Sequence, residues 1–573
     1  MRPRLLDDVR YIECDGGVYV ENGQGSCVLN GAQAYEWIHR LVPHLNGAHT
    51  LTEITQNLPG PHREMVESLT RTLVENRFVV DVLKDRPHSL SAEELTEYSD
   101  EIAFIRYRYD SAEWRFQRIR DARILLVGTG EVIKAVEQAG RDSGWQHVAA
   151  GPDGPIRRID SSDLVVQVES GDATDVLART SRVCADSGIA LTQVCVRNED
   201  VWLSGVRTGS SSAEPGWRAL ADEEESSGHD WLTGAVPALI AAQVTLGCFR
   251  HLAGMRPERQ GAPYGKDTDP ALIRVDLATL ETSAHRTHRP PSNPAAAERS
   301  ASDTITSLRD ERPVPLSSLL DRATKLTDPY LGPLRDLGER NLPQTPLATC
   351  SATVAGPSRH LDPVTVLGWG PDGDVARGRA LLSALAVYGS LHAGAEGWGV
   401  DLLDGTLRRV GLDDSLVGVA AGLSWNQAVE GCLLAHCERL PMEPRSSPTT
   451  LPDATVRQLE LTGEAYQIHD HSDVLGLPAY SVSVAGREVA RAVAATSGQA
   501  LRRVTERALL DWQVRSAGHP GSHGARWAEP SEGEPPLRVL AGALLRATGL
   551  TPFAVPLPRV DLAFAAKVVM CRG

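Results

Sequence analysis

Residues 122–130, ARILLVGTG, constrain this chain more than any other stretch. A short apolar run enters a Gly-Thr-Gly turn, and EVIKAVEQAGRDSG follows with helical spacing. SSDLVVQVE, ATDVLARTSRVCADSG and ALTQVCV repeat the order strand, helix, strand. Apolar strands alternating with helices predict an α/β unit built on a parallel sheet. The long apolar helix PALIAAQVTLGCFRHLAG closes that segment.

At 573 residues the chain is too long for one core, and its pattern divides it into segments at 1–85, 121–290 and 313–573. A helical connector over 86–120 opens on a capping box, Ser91 with Glu94, and a Pro-, Ser- and Ala-rich linker is expected at 291–312. SAGHPGSHGARWAEPSEGEPP, 516–536, reads as a surface excursion. The chain is 42% hydrophobic and 23% charged, as in soluble globular proteins, and has no run of about 18 apolar residues that could span a membrane. MRPRLLDDVRYIECDGG has no secretory pattern, and nine scattered cysteines form no CxxC pair. A cytoplasmic protein without structural zinc is expected.

The first segment reads as three short strands (VRYIEC, GVYVEN, GSCVLN), three helices and a closing strand FVVDV. Thr50 and Glu53 form a capping box on the second helix, and Pro61 suits the first turn of the third. This is a winged-helix arrangement. Its two functional readings are peptide binding and DNA binding. The net charge of −16, with eight Lys+Arg against eleven Asp+Glu in residues 1–84, disfavours nucleic acid.

SCVLNGAQAYEWIHRL, HTLTEITQNL and VESLTRTLVENRFV are similar to the PqqD-like domain called the RiPP recognition element. The resemblance implies that a precursor's leader peptide adds as a strand along Gly25, Ser26, Cys27, Val28 and Leu29. The pockets would come from Val66, Leu69, Thr70 and Leu73 of the third helix. Any one of those apolar residues could instead be core.

In the Gly-Thr-Gly turn, Gly128–Gly130, the third glycine of a nucleotide fingerprint is replaced by Ile133, and no acidic residue ends the next strand, HVAAG. A tight turn that holds no nucleotide is expected. RILLVGTG, ADSGIALTQVCV and the long helix resemble the ThiF-like family, relatives of ubiquitin-activating enzymes. The resemblance implies a Rossmann-like fold. The family's Asp and its two zinc-binding Cys pairs are missing; the second pair would fall on Ser292 and Ala295.

GLSWNQAVEGCLLAHCERL packs Cys432, His436, Cys437, Glu438 and Arg439 together. On a helix, 432 and 436 share a face and 437 lies about 100° round, so a buried helix carrying small thiols is expected in place of a metal site. This stretch, with VLGWGPDGDVARGRALLSALAVYGSLHA, LTDPYLGPLRDL and VDLAFAAKVVMCRG, resembles the YcaO family, whose members hold magnesium-ATP with two Glu-x-x-Glu pairs. Carried over by position, the first pair becomes Val387 and Ser390 and the second Ala435 and Glu438. The acid after Glu-Arg becomes Leu440, and the Gly-Lys-Gly before the first helix becomes Gly368-Trp369-Gly370. Magnesium needs anionic oxygens, and one carboxylate does not suffice. Glu438 and Arg439 would then be a hydrogen-bonded support or an exposed helix pair.

The fold class expected is thus α/β and α+β multidomain: a winged helix, a ThiF-type domain and a YcaO-like domain. The resemblances imply a leader-binding subunit without cofactor. A partner YcaO cyclodehydratase would use ATP and magnesium to turn core Cys, Ser or Thr into thiazolines or oxazolines, and the two could pair through the YcaO-like domains, as could two copies of this chain. The alternatives are an active ATP-dependent cyclodehydratase, a DNA-binding regulator and a stand-alone adenylating enzyme.

Overall fold

The structure is a computed structural model. It describes residues 1–23, 25–151, 159, 161–171, 173–197, 199–209, 213–220, 231–255, 271–286, 298–356, 363–442, 453–516, 536–559 and 563–572. The chain divides into two compact units, Met1–Thr287 and His288–Gly573. Both are mixed α and β.

In the first unit, β1 (Pro3–Leu5) pairs with β5 (Val79–Asp81), an addition the sequence reading lacked. Strands β2 (Arg10–Cys14), β3 (Gly17–Asn22) and β4 (Gly25–Asn30) form an antiparallel meander in the order β2-β3-β4. Gly16 takes φ +78° in the first turn, a value a side chain would resist. Helices α1 (Ala34–Leu41), α2 (Leu51–Thr55) and α3 (Gly60–Glu75) follow. Val18, Val20, Ile38, Leu41, Val66 and Leu73 are the core they share. The Thr50 box forms in both directions, Thr50 N–H to Glu53 at 2.7 Å and Glu53 N–H to Thr50 at 3.2 Å.

The connector contains α4 (Ala92–Glu97), α5 (Ser99–Arg106) and α6 (Ala112–Asp121), and the Ser91–Glu94 box starts α4. A seven-stranded sheet follows. Strands β6 (Arg123–Gly128), β7 (His147–Gly151), β8 (Leu164–Ser170) and β9 (Ala190–Val196) are mutually parallel in the order β7-β6-β8-β9. Helices α7 (Glu131–Asp142) and α8 (Thr174–Ser187) are their crossovers. The sheet then continues antiparallel through β10 (Asp200–Ser204), β11 (Ala271–Asp276) and β12 (Thr282–Arg286), so it is mixed where a parallel sheet was expected. The reason is the link from β9 to β10, too short for a parallel crossover. Helix α9 (Val236–Leu252) packs beside α7.

The second unit starts with a correction. Part of the expected linker folds as α10 (Glu298–Asp310), which buries Ala301 and Ile305. Helix α11 (Leu316–Leu326) precedes an antiparallel sheet of β13 (Leu334–Gly338), β14 (Ala348–Val354) and β15 (Val364–Gly370). Helix α12 (Gly373–Leu391) is buried on nearly every face from Ala376 to Gly389. It lies between that sheet and a five-stranded one of order β17-β16-β22-β23-β18. The latter comprises β16 (Glu396–Asp401), β17 (Leu407–Gly411), β18 (Val419–Gly422), β22 (Thr551–Pro556) and β23 (Phe564–Cys571). A helix packed on two sides has no polar face to present. Helix α13 (Trp425–Arg439) packs on β18 and β23. A third sheet, β19 (Tyr466–Asp470), β20 (Ala479–Val484) and β21 (Arg487–Val493), carries α14 (Ser497–Ser516). Helix α15 (Leu537–Thr548) packs against α13. Most of the excursion expected at 516–536 lies outside the described residues.

Candidate functional site

Strand β4 is an edge: β3 pairs with it on one side, and among the described residues no strand pairs with it on the other. Its phase follows from two observations. Gly31 N–H donates to Gly16 O at 2.7 Å, and the register runs Gly17↔Asn30, Val18↔Leu29, Tyr19↔Val28, Val20↔Cys27 without a break. Hydrogen-bonded and non-bonded pairs alternate along an antiparallel ladder. Leu29 and Cys27 therefore bond to β3, and the N–H and C=O of Ser26, Val28 and Asn30 point to the open edge. Val28 is 50% exposed, Gly25 and Ser26 are exposed, and Cys27 and Leu29 lean on the core.

The pockets expected from α3 need correction. Val66, Thr70 and Leu73 are buried, at 3%, 0% and 2% exposure. They form the stripe at i, i+4 and i+7 that faces inward, and the Thr70 hydroxyl donates back to Val66 O at 2.8 Å. Only Leu69 is partly open, beside Met65 at 43% exposure.

In the Gly-Thr-Gly turn, packing explains the first glycine. Gly128 has φ +124°, and a Cβ there would lie 2.0 Å from Val168 O on the neighbouring strand. Gly130, at φ +99°, leads into α7, and Ile133 is buried in the core. Ser292 and Ala295 lie outside the described residues. All nine cysteines are free thiols.

The four positions carried over for the magnesium site sit on α12 and α13. Val387 is fully buried, Ser390 half-buried and Ala435 buried. Glu438 is buried too, and its Oε1 accepts from Arg507 Nη1 at 2.8 Å and from Val493 N–H at 3.3 Å. Arg507 also donates to Arg491 O. Glu438 is thus the hydrogen-bonded support, tying α13 to α14 and β21, and Arg439 points outward, exposed.

Arg507 also lines a cleft with Leu367, Trp369, Arg379, Ser383, Arg503 and Glu506. Its interior volume is about 30 Å³, room for one or two water molecules. Arg379 donates to Trp369 O at 2.7 Å and pairs with Glu506 at 3.0 Å. Both acids here, Glu438 and Glu506, already hold an arginine. Sequence reasoning missed Arg379, Glu506 and Arg507. The available signal was RRVTER in α14, which places Arg503, Glu506 and Arg507 within one turn on one side of the helix.

Cys432, His436 and Cys437 do not converge. Cys432 Sγ donates to Ala566 O at 3.2 Å, and His436 Nε2 donates to Val568 O at 2.8 Å. Burial pushes both thiols up to about 12 and the imidazole below its ordinary value. Neither cysteine is a nucleophile at neutral pH. Among the described residues, no three His, Cys, Asp or Glu side chains cluster to hold a metal ion, and no helix is long and apolar enough to cross a membrane.

No protein-family model and no curated protein matches the sequence. Solved structures do match along the whole chain. A heterocyclase in complex with substrate and cofactor has a TM-score of 0.63 at 13% identity, covering 100% of this chain and 94% of its own. The heterocyclase TruD has a TM-score of 0.57 at 14% identity, covering 99% and 94%. The chain shares the fold of these heterocyclases. At such identities the likeness speaks of architecture alone. E. coli MccB with MccA-N7isoASN aligns over 51% of this chain at a TM-score of 0.37 and 11% identity, too low to carry an argument.

Proposed function

We propose that this chain is the leader-binding subunit of an azoline-forming cyclodehydratase and leaves the ATP-dependent step to a partner. In this reading residues 1–85 are a PqqD-like peptide-binding winged helix, 121–290 a ThiF-like domain and 313–573 a YcaO-like domain. The observation that carries it is the open edge of β4, where Ser26, Val28 and Asn30 present unpaired backbone groups. An extended peptide satisfies such groups by adding as a strand. Held there, the precursor's core reaches the partner's active site as an intramolecular event, at an effective concentration of about millimolar.

The assignment of chemistry to the partner is supported by the α12–α13 positions. Three expected carboxylates are Val387, Ser390 and Ala435, and the fourth, Glu438, is neutralised by Arg507. These residues do not fit a magnesium triphosphate, which needs several free anionic oxygens. The rival reading, an active ATP-dependent cyclodehydratase, draws on the whole-length likeness to heterocyclases. A DNA-binding regulator is disfavoured by the net charge of −16.

Val28→Pro tests the edge, because it deletes an outward N–H without touching the β3 ladder. Titration of a labelled precursor peptide should show affinity at least about tenfold weaker, roughly the worth of one backbone hydrogen bond plus the lost fit. Unchanged affinity sinks the assignment. ATP turnover by the isolated chain with precursor, above that of a boiled control, would favour the active enzyme.

A further inference from the structure

The connector carries a cationic and aromatic surface that the peptide edge does not use. The Arg86 guanidinium lies 4.2 Å from the centroid of the Trp114 ring, and that of Arg118 lies 5.4 Å from the same centroid. The two charges are therefore within about 10 Å of each other, one Debye length at moderate salt. Arg86 and Arg118 are exposed and Trp114 is half-buried. Among the described residues neither guanidinium has a carboxylate within 4.0 Å. The acids nearby are engaged elsewhere: Asp85 Oδ1 accepts from Ser111 N–H at 2.8 Å, and Asp110 pairs with Arg115 at 3.0 Å. Partial burial, then Arg115 and Arg86, holds Arg118 below its ordinary pKa, and no acid offsets them.

The cation–π contacts hold two like charges on one indole against their mutual repulsion and concentrate positive potential there. An anion between them would relieve the repulsion, and guanidinium suits carboxylates through paired N–H groups. The module that carries β4 is also tied to the connector. At the start of that strand, Arg108 reaches Gly23 in the β3–β4 turn and pairs with Asp8 at 3.7 Å. Arg4 donates to Arg106 O and Tyr109 O, both at 3.2 Å, fixing the β-meander's module to the loop that leads into α6.

We propose that Arg86, Trp114 and Arg118 form a docking surface for an acidic peptide segment, adjoining the stretch of precursor that pairs with β4. The adjoining role rests on the peptide-binding reading above; the acidic preference does not. In a chain of net charge −16, this local excess of arginine selects carboxylates that the rest of the surface repels.

The test is fluorescence anisotropy on the full chain with fluorescein-labelled octaglutamate, with labelled octaserine as control. Octaglutamate should bind at least tenfold more tightly than octaserine and weaken with salt. Arg86→Gln with Arg118→Gln should raise its Kd at least fivefold, with an unchanged melting temperature. Arg141→Gln, an exposed arginine on α7 paired with Glu137, should change nothing. Val28→Pro should leave octaglutamate binding intact, so a variant that still binds precursor as tightly as wild type sinks strand addition and spares this surface. Equal octaglutamate affinity in wild type and double variant overturns the proposal. So does a dodecathymidine that binds the same arginines more tightly than octaglutamate, which would make the surface a nucleic-acid site.

Discussion

Glu438 shows how one side chain decides what a site can do. Its carboxylate is nearly enclosed and takes hydrogen bonds from Arg507 and the Val493 N–H. Glu438→Ala would strand Arg507, 18% exposed, beside an apolar helix, and should cost about 2–4 kcal/mol in urea unfolding. A loss below about 0.5 kcal/mol would show that the pair supports nothing. His436 makes a second prediction. Burial holds its imidazole below the ordinary value, so the native state binds fewer protons than the unfolded one. The stability it contributes is complete above about pH 6.5 and declines as pH falls through the depressed native value. The stability lost between pH 7.5 and 5.5 should shrink in His436→Gln, whose amide can still donate to Val568 O. An equal loss in both proteins would place the acid sensitivity elsewhere. The sequence placed Cys432, His436 and Cys437 on one buried helix because helical geometry is local. It left Arg507 out because the pairing spans 69 positions, and no local pattern encodes such a contact.

Elements were legible where their signals are local. The β2-β3-β4 meander, both capping boxes and the strands of the α/β unit follow from alternation and cap residues. Flanking Pro and Ser give α10 the composition of a linker, although Ala301, Ile305 and Leu308 stand at helical spacing. Which face of α3 is closed depends on tertiary packing, so the pocket residues could not be separated from core beforehand. The Gly368-Trp369-Gly370 stretch now has a packing role. A Cβ at Gly368 would lie 2.1 Å from Ala380 N and 2.2 Å from Ala376 O, both backbone atoms of α12. Strand β15 and α12 touch there. Gly368→Ala should therefore force them apart and lower stability by about 2–3 kcal/mol, as overpacking does. Wild-type stability in chemical denaturation would mean that the contact is looser than these distances.

At the scale of the molecule, the two units divide the tasks proposed for the chain. The β4 edge and the Arg86–Trp114–Arg118 surface lie in Met1–Thr287, and the acid-poor α12–α13 positions lie in His288–Gly573. The described hydrophobic clusters fall within one unit or the other. Val18, Val20 and Leu73 anchor one cluster of the first unit, and Ile124, Val166 and Val194 another. A segment of that length buries enough surface to fold by itself. The fragment Met1–Thr287 should therefore unfold cooperatively and bind a labelled precursor within about threefold of the intact chain's affinity, less than 0.7 kcal/mol. The fragment His288–Gly573 should not bind it. The second unit would then serve to dock the catalytic partner, so only the intact chain should co-purify with that partner and the precursor together. A first fragment that melts cooperatively yet loses the precursor would move the binding site off the β4 edge.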